Sequence, residues 1–210
     1  MGLFRLIEDE NSQIALWKVT ESEQELKDLT GLDLENTYAY PRRRIERMVV
    51  RAILNQLNHF ESVNYYPNGR PYYSGGKPHI SISHASKMVA VGFCQNLSIG
   101  VDVEQTNRDF KTVAHKYITN KELKWINLEH QKSLALAWCI KESIYKLPWK
   151  VTKCFSTDIN ILEFGELLNR GVVKVEVVDM GIIHHLELNY LFFDEFCLSW
   201  VLNDFQTTAC

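Results

Sequence analysis

The stretch SIGVDVE, residues 98–104, predicts a strand around which the chemistry of this chain can be organised. Successive side chains of a strand point to opposite faces. The alternation therefore places the three branched apolar residues on one face, and Gly100, Asp102 and Glu104 on the other. Two carboxylates project together, beside a glycine that is expected to leave room for a ligand.

A helix is predicted at residues 132–147, and Pro148 ends it. One apolar stripe recurs at helical spacing and consists of Leu136, Ile140, Ile144 and Leu147. A second stripe, about 200° round the helix, consists of Trp138, Glu142 and Lys146. A solvated helix face explains this second stripe as well, because an exposed Glu–Lys pair stabilises a helix by roughly a few tenths of a kcal/mol.

The carboxylates of the strand and the helix are suited to a divalent cation. Mg²⁺ prefers oxygen ligands and is usually held by one or two carboxylates together with substrate phosphates. Asp102 and Glu104 could bind it together, and Glu142 could complete the site or act as a base if the helix packs across the strand. Lys146, one turn after Glu142, is placed to meet phosphate charge.

The remaining pattern predicts an α+β protein. Strands are predicted at 14–19, 79–83 and 88–94, helices at 21–29, from Pro41 onwards and around 119–128, a turn-rich irregular segment at 64–78, and a final antiparallel sheet from 172–178, 182–190 and 196–202. The order indicates two α+β halves of similar size, residues 1–97 and residues 98–210. The second half carries the acidic motifs.

Composition narrows the class of protein further. The chain has 210 residues, of which 46% are hydrophobic and 23% charged, enough apolar material for a sizeable core. Its five scattered cysteines form no CxxC pair and indicate reduced thiols. No signal peptide is evident, and no apolar run approaches the roughly 20 residues that cross a membrane. We therefore expect a cytoplasmic protein that does not bind membranes.

Two basic regions have more than one interpretation. Ser83 and His84 end a short strand, and Arg70 precedes it in a turn; together they suit a phosphate contact, although a capped strand end with a surface histidine also explains them. The helix beginning at Pro41 carries arginines at 42, 43, 44, 47 and 51, which could contact phosphate, line a solvated face or bind nucleic acid. The net charge of −3 argues against nucleic acid.

These segments, in this order, resemble the 4′-phosphopantetheinyl transferases, particularly the surfactin-synthetase-activating type. Residues 100–104 match the GIDxE motif of that family, and residues 138–146 match WxxKExxxK. Residues 69–71 match a GKP-like element and residues 81–85 an N-[LI]-S-H-[SA] element. Arg108 also matches an arginine commonly found after GIDxE. Arg70 replaces the usual lysine, Ser81 replaces the usual asparagine, and residues 147–152 replace a glycine-containing turn.

The resemblance implies a pseudo-dimer of two similar halves, with the active site in the cleft between them and a monomer as the default state. It implies transfer of 4′-phosphopantetheine from coenzyme A (CoA) to a serine of an apo acyl or peptidyl carrier protein, releasing adenosine 3′,5′-bisphosphate. Mg²⁺ would be the cofactor, with Mn²⁺ as an alternative. A CoA- or carrier-binding regulatory protein of the same fold with little turnover is the competing hypothesis, since residues 147–152 depart from the family pattern.

The resemblance also implies a role for individual residues. Asp102, Glu104 and Glu142 would bind the metal, and Glu142 would deprotonate the acceptor serine, directly or through water. Lys146 would stabilise the pyrophosphate, and Lys141 would sit near the phosphates. The nucleotide phosphates would be held by a group consisting of Arg70, Pro71, Ser83 and His84, with Arg42 on the 3′-phosphate.

Overall fold

The computed structural model describes residues 2–9, 12–149 and 151–204. The chain divides into two compact units, Met1–Gln95 and Asn96–Cys210. Both units combine helix with antiparallel sheet, which agrees with the α+β prediction. Within the described residues, no helix is both long enough and apolar enough to cross a membrane.

The first unit packs two helices with one main sheet. In chain order it consists of β1 (Arg5–Glu8), β2 (Ser12–Lys18), α1 (Glu23–Thr30), α2 (Pro41–Gln56), β3 (Val63–Tyr65), β4 (Pro71–Tyr73), β5 (His79–Ala85) and β6 (Met88–Cys94). The sheet has the antiparallel order β1-β2-β6-β5, and β3 and β4 form a separate hairpin. The segment predicted to be irregular at 64–78 thus contains most of this hairpin, turned at Gly69 with φ 83°.

Local sequence explains both helices of the first unit. Ser22 caps α1, and its exchange of hydrogen bonds with Glu25 forms a capping box. Pro41 occupies the first turn of α2, where its missing N–H costs nothing. The core lies between α2 and the sheet, and its fully buried members include Trp17, Met48, Val49, Ile53 and Val91.

The second unit packs one long helix on a five-stranded sheet. It consists of β7 (Ser98–Gln105), α3 (Gln131–Tyr145), β8 (Ile159–Ile161), β9 (Arg170–Asp179), β10 (Ile182–Phe193) and β11 (Phe196–Asn203). The antiparallel order is β7-β11-β10-β9-β8. The predicted apolar stripe of α3 enters the core of this unit together with buried residues of β9, β10 and β11.

The helix predicted around 119–128 is reduced to one 3-10 turn, Glu122–Lys124, after another at Ala114–Lys116. Two reciprocal hydrogen bonds between Thr119 and Glu122 stabilise this turn. The Glu122 carboxylate accepts from Thr119 N at 2.6 Å, and Thr119 Oγ1 accepts from Glu122 N at 3.1 Å. Ile161 N donates to the second oxygen of Glu122 at 2.7 Å. A longer helix would lose this buried network.

Gly100 allows α3 to lie directly on β7. A Cβ at this position would overlap the Ser143 carbonyl oxygen and would lie 3.0 Å from the Ser143 carbonyl carbon. The Ser143 hydroxyl donates to Ser199 O on β11 at 3.0 Å, which fixes the same part of the helix on the next strand. The expectation that Gly100 leaves room for a ligand is therefore wrong, because the helix backbone fills that space.

Candidate active site

The acidic face of β7 meets the second stripe of α3. Lys146 Nζ lies 2.7 Å from Asp102 Oδ1 and 2.9 Å from Val101 O. Trp138 Nε1 donates to Glu104 Oε1 at 3.1 Å. The two sequence motifs, separated by more than 30 residues, are thus brought into one cluster, which we call the carboxylate cluster: Asp102, Glu104 and Glu142, with Lys146 as its cation.

Burial and neighbouring negative charge raise the pKa of two acids of the carboxylate cluster, Glu142 and Glu104. Burial, followed by the negative charges of Asp102 and Glu104, raises the pKa of Glu142 to about 7, although Lys146 opposes the shift. Burial and then Asp102 also raise the pKa of Glu104. The charge of Asp102 thus acts on both glutamates. A glutamate that titrates near neutral pH is suited to proton transfer.

Arg108 closes the cluster on one side. Its guanidinium donates to Glu104 Oε1 at 2.9 Å and lies over the Trp138 ring, 5.4 Å from the centroid. The side chain is half exposed, so its remaining donors can reach solvent or an anion. The structure therefore adds Arg108 to the residues around Glu104, a position to which the sequence assigned no role.

The chemistry of the donors fits Mg²⁺, whereas their arrangement needs adjustment. Carboxylate oxygens are the ligands that Mg²⁺ prefers. In the described ranges, however, no three His, Cys, Asp or Glu side chains are grouped closely enough to form a ready metal site. Lys146 and Arg108 hold oxygens of Asp102 and Glu104. Lys146 and Arg108 thus occupy part of the oxygen coordination that a metal on these acids would use.

Lys141 does not belong to the cluster, and the expectation that it lies near the phosphates is wrong. Its side chain is fully buried, and Nζ lies within 2.9 Å of four acceptors: Tyr117 O, Phe155 O, Ile159 O and Glu122 Oε2. An ammonium group has only three protons to donate. Lys141 is thus saturated inside the unit, where it ties α3 to the segments on either side of it.

Aromatic and ionic contacts replace the glycine turn after α3. Trp149 Nε1 donates to Ile144 O at 2.7 Å, and Lys153 Nζ contacts Asp179 Oδ1 at 2.5 Å. Lys153 also lies over the Trp149 ring, 5.1 Å from its centroid. Lys150, in the middle of this segment, lies outside the described residues. The turn is therefore anchored to the last turn of α3 and to the end of β9.

A second constellation lies within the first unit. A pocket of about 110 Å³, which we call the basic pocket, is lined by Arg43, Glu46, Arg47, Val50, Tyr65, Gly69, Pro71, Ile82 and His84. Arg43 NH1 lies 3.3 Å from His84 Nε2. Arg47 lies over the Tyr65 ring, 3.8 Å from its centroid, and burial lowers its pKa. This combination of cations and a small volume suits an anionic group such as a phosphate.

The structure brings only some of the predicted nucleotide-binding residues to the basic pocket. His84 and Pro71 line it. Arg70 instead lies over the Tyr66 ring, 4.8 Å from the centroid. Ser83 is buried and, by strand alternation, faces away from His84. Arg42 does not line the pocket; it donates to Glu46, which does, and 68% of its side chain is exposed.

Sequence reasoning named the arginines of this helix as candidates for phosphate contact, but it favoured a different one and missed Glu46. Arg43, rather than the favoured Arg42, contacts His84. Arg47 completes the wall of the pocket, and Glu46 lies between the arginines and the histidine. Glu46 lies four residues after Arg42 and three after Arg43, the spacing at which side chains on a helix pair, so the sequence could have indicated these two contacts.

The comparison with known protein families found a match within the second unit.

Residues 98–170 match the family model of the 4′-phosphopantetheinyl transferase superfamily.

The matched segment contains β7 and α3 and therefore the whole carboxylate cluster, whereas the basic pocket lies outside it. The match supports the superfamily, and with it phosphopantetheine transfer in general. It implies CoA and a carrier protein as the substrates of this class of enzyme. No curated protein matched the chain.

Proposed function

We propose that this chain is a 4′-phosphopantetheinyl transferase of the surfactin-synthetase-activating type. It transfers 4′-phosphopantetheine from CoA to a serine of an apo acyl or peptidyl carrier protein and releases adenosine 3′,5′-bisphosphate. The observation that carries the proposal is the meeting of Asp102, Glu104 and Glu142 with Lys146, inside the segment that matches the superfamily.

Asp102, Glu104 and Glu142 are the residues that would hold Mg²⁺, or Mn²⁺ in its place. When bound, the ion neutralises charge on the pyrophosphate of CoA and orients the leaving group. Arg108 and Trp138 orient the Glu104 carboxylate through two hydrogen bonds to Oε1. Outer partners of this kind hold a ligand in the geometry that binding requires.

Glu142 is the proposed general base. At a pKa of about 7, an appreciable fraction is ionised at neutral pH, yet the group remains basic enough to take a proton. The serine oxygen attacks the phosphorus that carries pantetheine, and its proton passes to Glu142. The bond from that phosphorus to the bridging oxygen breaks, and adenosine 3′,5′-bisphosphate leaves with the electron pair.

Lys146 supplies positive charge for the pyrophosphate oxygens. It is only partly exposed, at 23% of its side chain, and it already faces the carboxylate cluster. A charged donor in such a site stabilises developing negative charge more strongly than the same donor in water. Lys141 has no part in this step, because its ammonium group is saturated elsewhere.

The basic pocket is proposed to bind the 3′-phosphate of CoA. Arg43 and His84 line it, and Arg42 contacts Glu46, another of its lining residues. Guanidinium groups match the geometry of phosphate oxygens, and a dianion gains more from several cations than from one.

Intact mass spectrometry of apo carrier proteins tests the proposal. Fatty-acid, polyketide and peptide-synthetase carriers are each incubated with the protein, CoA and Mg²⁺ or Mn²⁺. We expect a gain of one phosphopantetheine group on at least one carrier, abolished by EDTA. A gain that persists in EDTA would contradict the role of the metal, and no gain on any carrier would contradict the transferase.

A second candidate is a CoA- or carrier-binding regulatory protein. The observation in its favour is that Lys146 holds Asp102 while no ready metal site is present in the ranges described. The turn after α3, anchored by Trp149 and Lys153, also departs from the family pattern. Metal-dependent CoA binding without any transfer would identify this function.

A further inference from the structure

Glu46 contacts two arginines and a histidine at once. Its Oε1 lies 2.9 Å from Arg42 Nε, and its Oε2 lies 3.4 Å from Arg43 NH1. His84 Nε2 lies 3.3 Å from the same Oε2. Two of these groups come from the first turn of α2 and the third from β5, so one carboxylate joins two elements of the first unit.

Glu46 is more buried than the three side chains that it contacts. Only 10% of its side chain is exposed, compared with 68% for Arg42, 55% for Arg43 and 35% for His84. These three side chains are therefore more accessible to an incoming anion than the carboxylate is. Arg42 uses its Nε on Glu46, and the terminal nitrogens of a guanidinium remain available as further donors.

We propose that Glu46 is a positioning residue, which holds Arg42, Arg43 and His84 together as one binding set for the 3′-phosphate of CoA. The inference rests on the function proposed above and adds a residue to it. The guanidinium groups of Arg42 and Arg43 repel each other, and the carboxylate that they share offsets that repulsion. Two arginines still outnumber one glutamate, so the set retains a net attraction for a dianion.

A carboxylate near a phosphate site also repels the ligand, which would weaken binding. The difference in exposure decides between the two effects. Glu46 is hydrogen-bonded to the cations that face the ligand, so its charge is largely compensated where the anion binds. Its loss frees exposed arginine side chains, which then lose rotamer freedom on binding. We therefore expect weaker binding without Glu46.

The test is calorimetric titration of Glu46→Gln with CoA and with dephospho-CoA, which lacks the 3′-phosphate. The substitution keeps the shape and removes the charge. We expect the Kd for CoA to rise about tenfold, the effect of losing a hydrogen bond to a charged group. The Kd for dephospho-CoA should not change. Glu61→Gln, at an exposed glutamate of the same unit, is the matched control and should leave both constants unchanged.

Three results would overturn the inference: equal weakening for both ligands, which indicates a structural role only, no change for either, or tighter binding of CoA. If the glutamine variant fails to fold, Glu46→Asp takes its place, because it keeps the charge but shortens the reach of the side chain. We expect it to raise the Kd less, and for CoA alone. Binding is measured without turnover, so an inactive parent would contradict the transferase alone. A parent that binds CoA no better than dephospho-CoA would contradict the phosphate site.

Discussion

Replacing Gly100 by alanine tests whether close contact between β7 and α3 builds the carboxylate cluster. The new Cβ overlaps the Ser143 carbonyl oxygen and lies 3.0 Å from the carbonyl carbon. Ordinary carbon–carbon contacts are about 3.5–4.0 Å, so the carbonyl carbon must move by roughly 0.5–1 Å and its oxygen by more. The obstacle is helix backbone, which cannot rotate away as a side chain can.

The expected cost is that of overpacking a close-packed interface, about 1–3 kcal/mol of unfolding free energy. The shift also moves Glu142, adjacent to Ser143 on the helix, away from Asp102. A displacement of about 1 Å at a catalytic group can cost roughly a hundredfold in rate. We therefore expect kcat/KM for transfer to fall further than the loss of stability explains.

Urea unfolding followed by tryptophan fluorescence measures the stability effect, since four of the five tryptophans lie in the second unit. Gly165→Ala is the control, because an added Cβ there meets nothing within 4 Å. The control should be neutral or slightly stabilising. If Gly100→Ala unfolds at the same urea concentration as Gly165→Ala and retains full activity, the close contact does not build the site.

Three further predictions follow from the same unit. Lys141→Met leaves Glu122 as a fully buried charge without its cation, and we expect the free energy of unfolding in urea to fall by about 3–5 kcal/mol. Glu122→Gln in the same chain should restore part of that loss. No loss of stability would contradict a buried ion pair. Because burial raises the pKa of Glu142 from 4.5 to about 7, the stability that its protonated form contributes is fully present below 4.5 and is lost as pH rises through 7. Glu142→Gln should therefore flatten the fall of Tm across that range, and an unchanged slope would show that another group titrates. Mg²⁺ should raise the Tm of the parent more than that of Asp102→Asn, since ligand binding stabilises the folded state; equal shifts would remove Asp102 from the metal site.

Hydrophobic periodicity was sufficient to predict the elements that carry the carboxylate cluster. The strand at 98–104 and the helix at 132–147 correspond to β7 and α3, because their apolar residues recur at the spacing of a strand and of a helix. Burial itself extends beyond one face in both elements. The alternation in β7 and the 3.6-residue period in α3 also predicted which side chains share a face. Short elements such as β3 and β8 were missed, since three residues are too few to establish a period.

Contacts between distant segments could not be read from local spacing. Lys141 is next to Glu142 in sequence, yet only the folded chain shows that Tyr117, Glu122 and Ile159 surround it. Gly100 was interpreted as space for a ligand because the approach of Ser143 depends on packing. The relation of Glu46 to His84 likewise depends on how α2 lies on the sheet.

The most direct test of the central claim compares transfer by the parent and by Glu142→Gln. Intact mass of an apo carrier is followed over time with CoA and Mg²⁺, with Glu166→Gln as the control at an exposed glutamate of the same unit. We predict that the parent and Glu166→Gln add one phosphopantetheine group at similar rates, while Glu142→Gln, still folded, adds almost none. Equal rates for all three proteins would contradict Glu142 as the base, and no addition by the parent to any carrier would contradict the transferase itself.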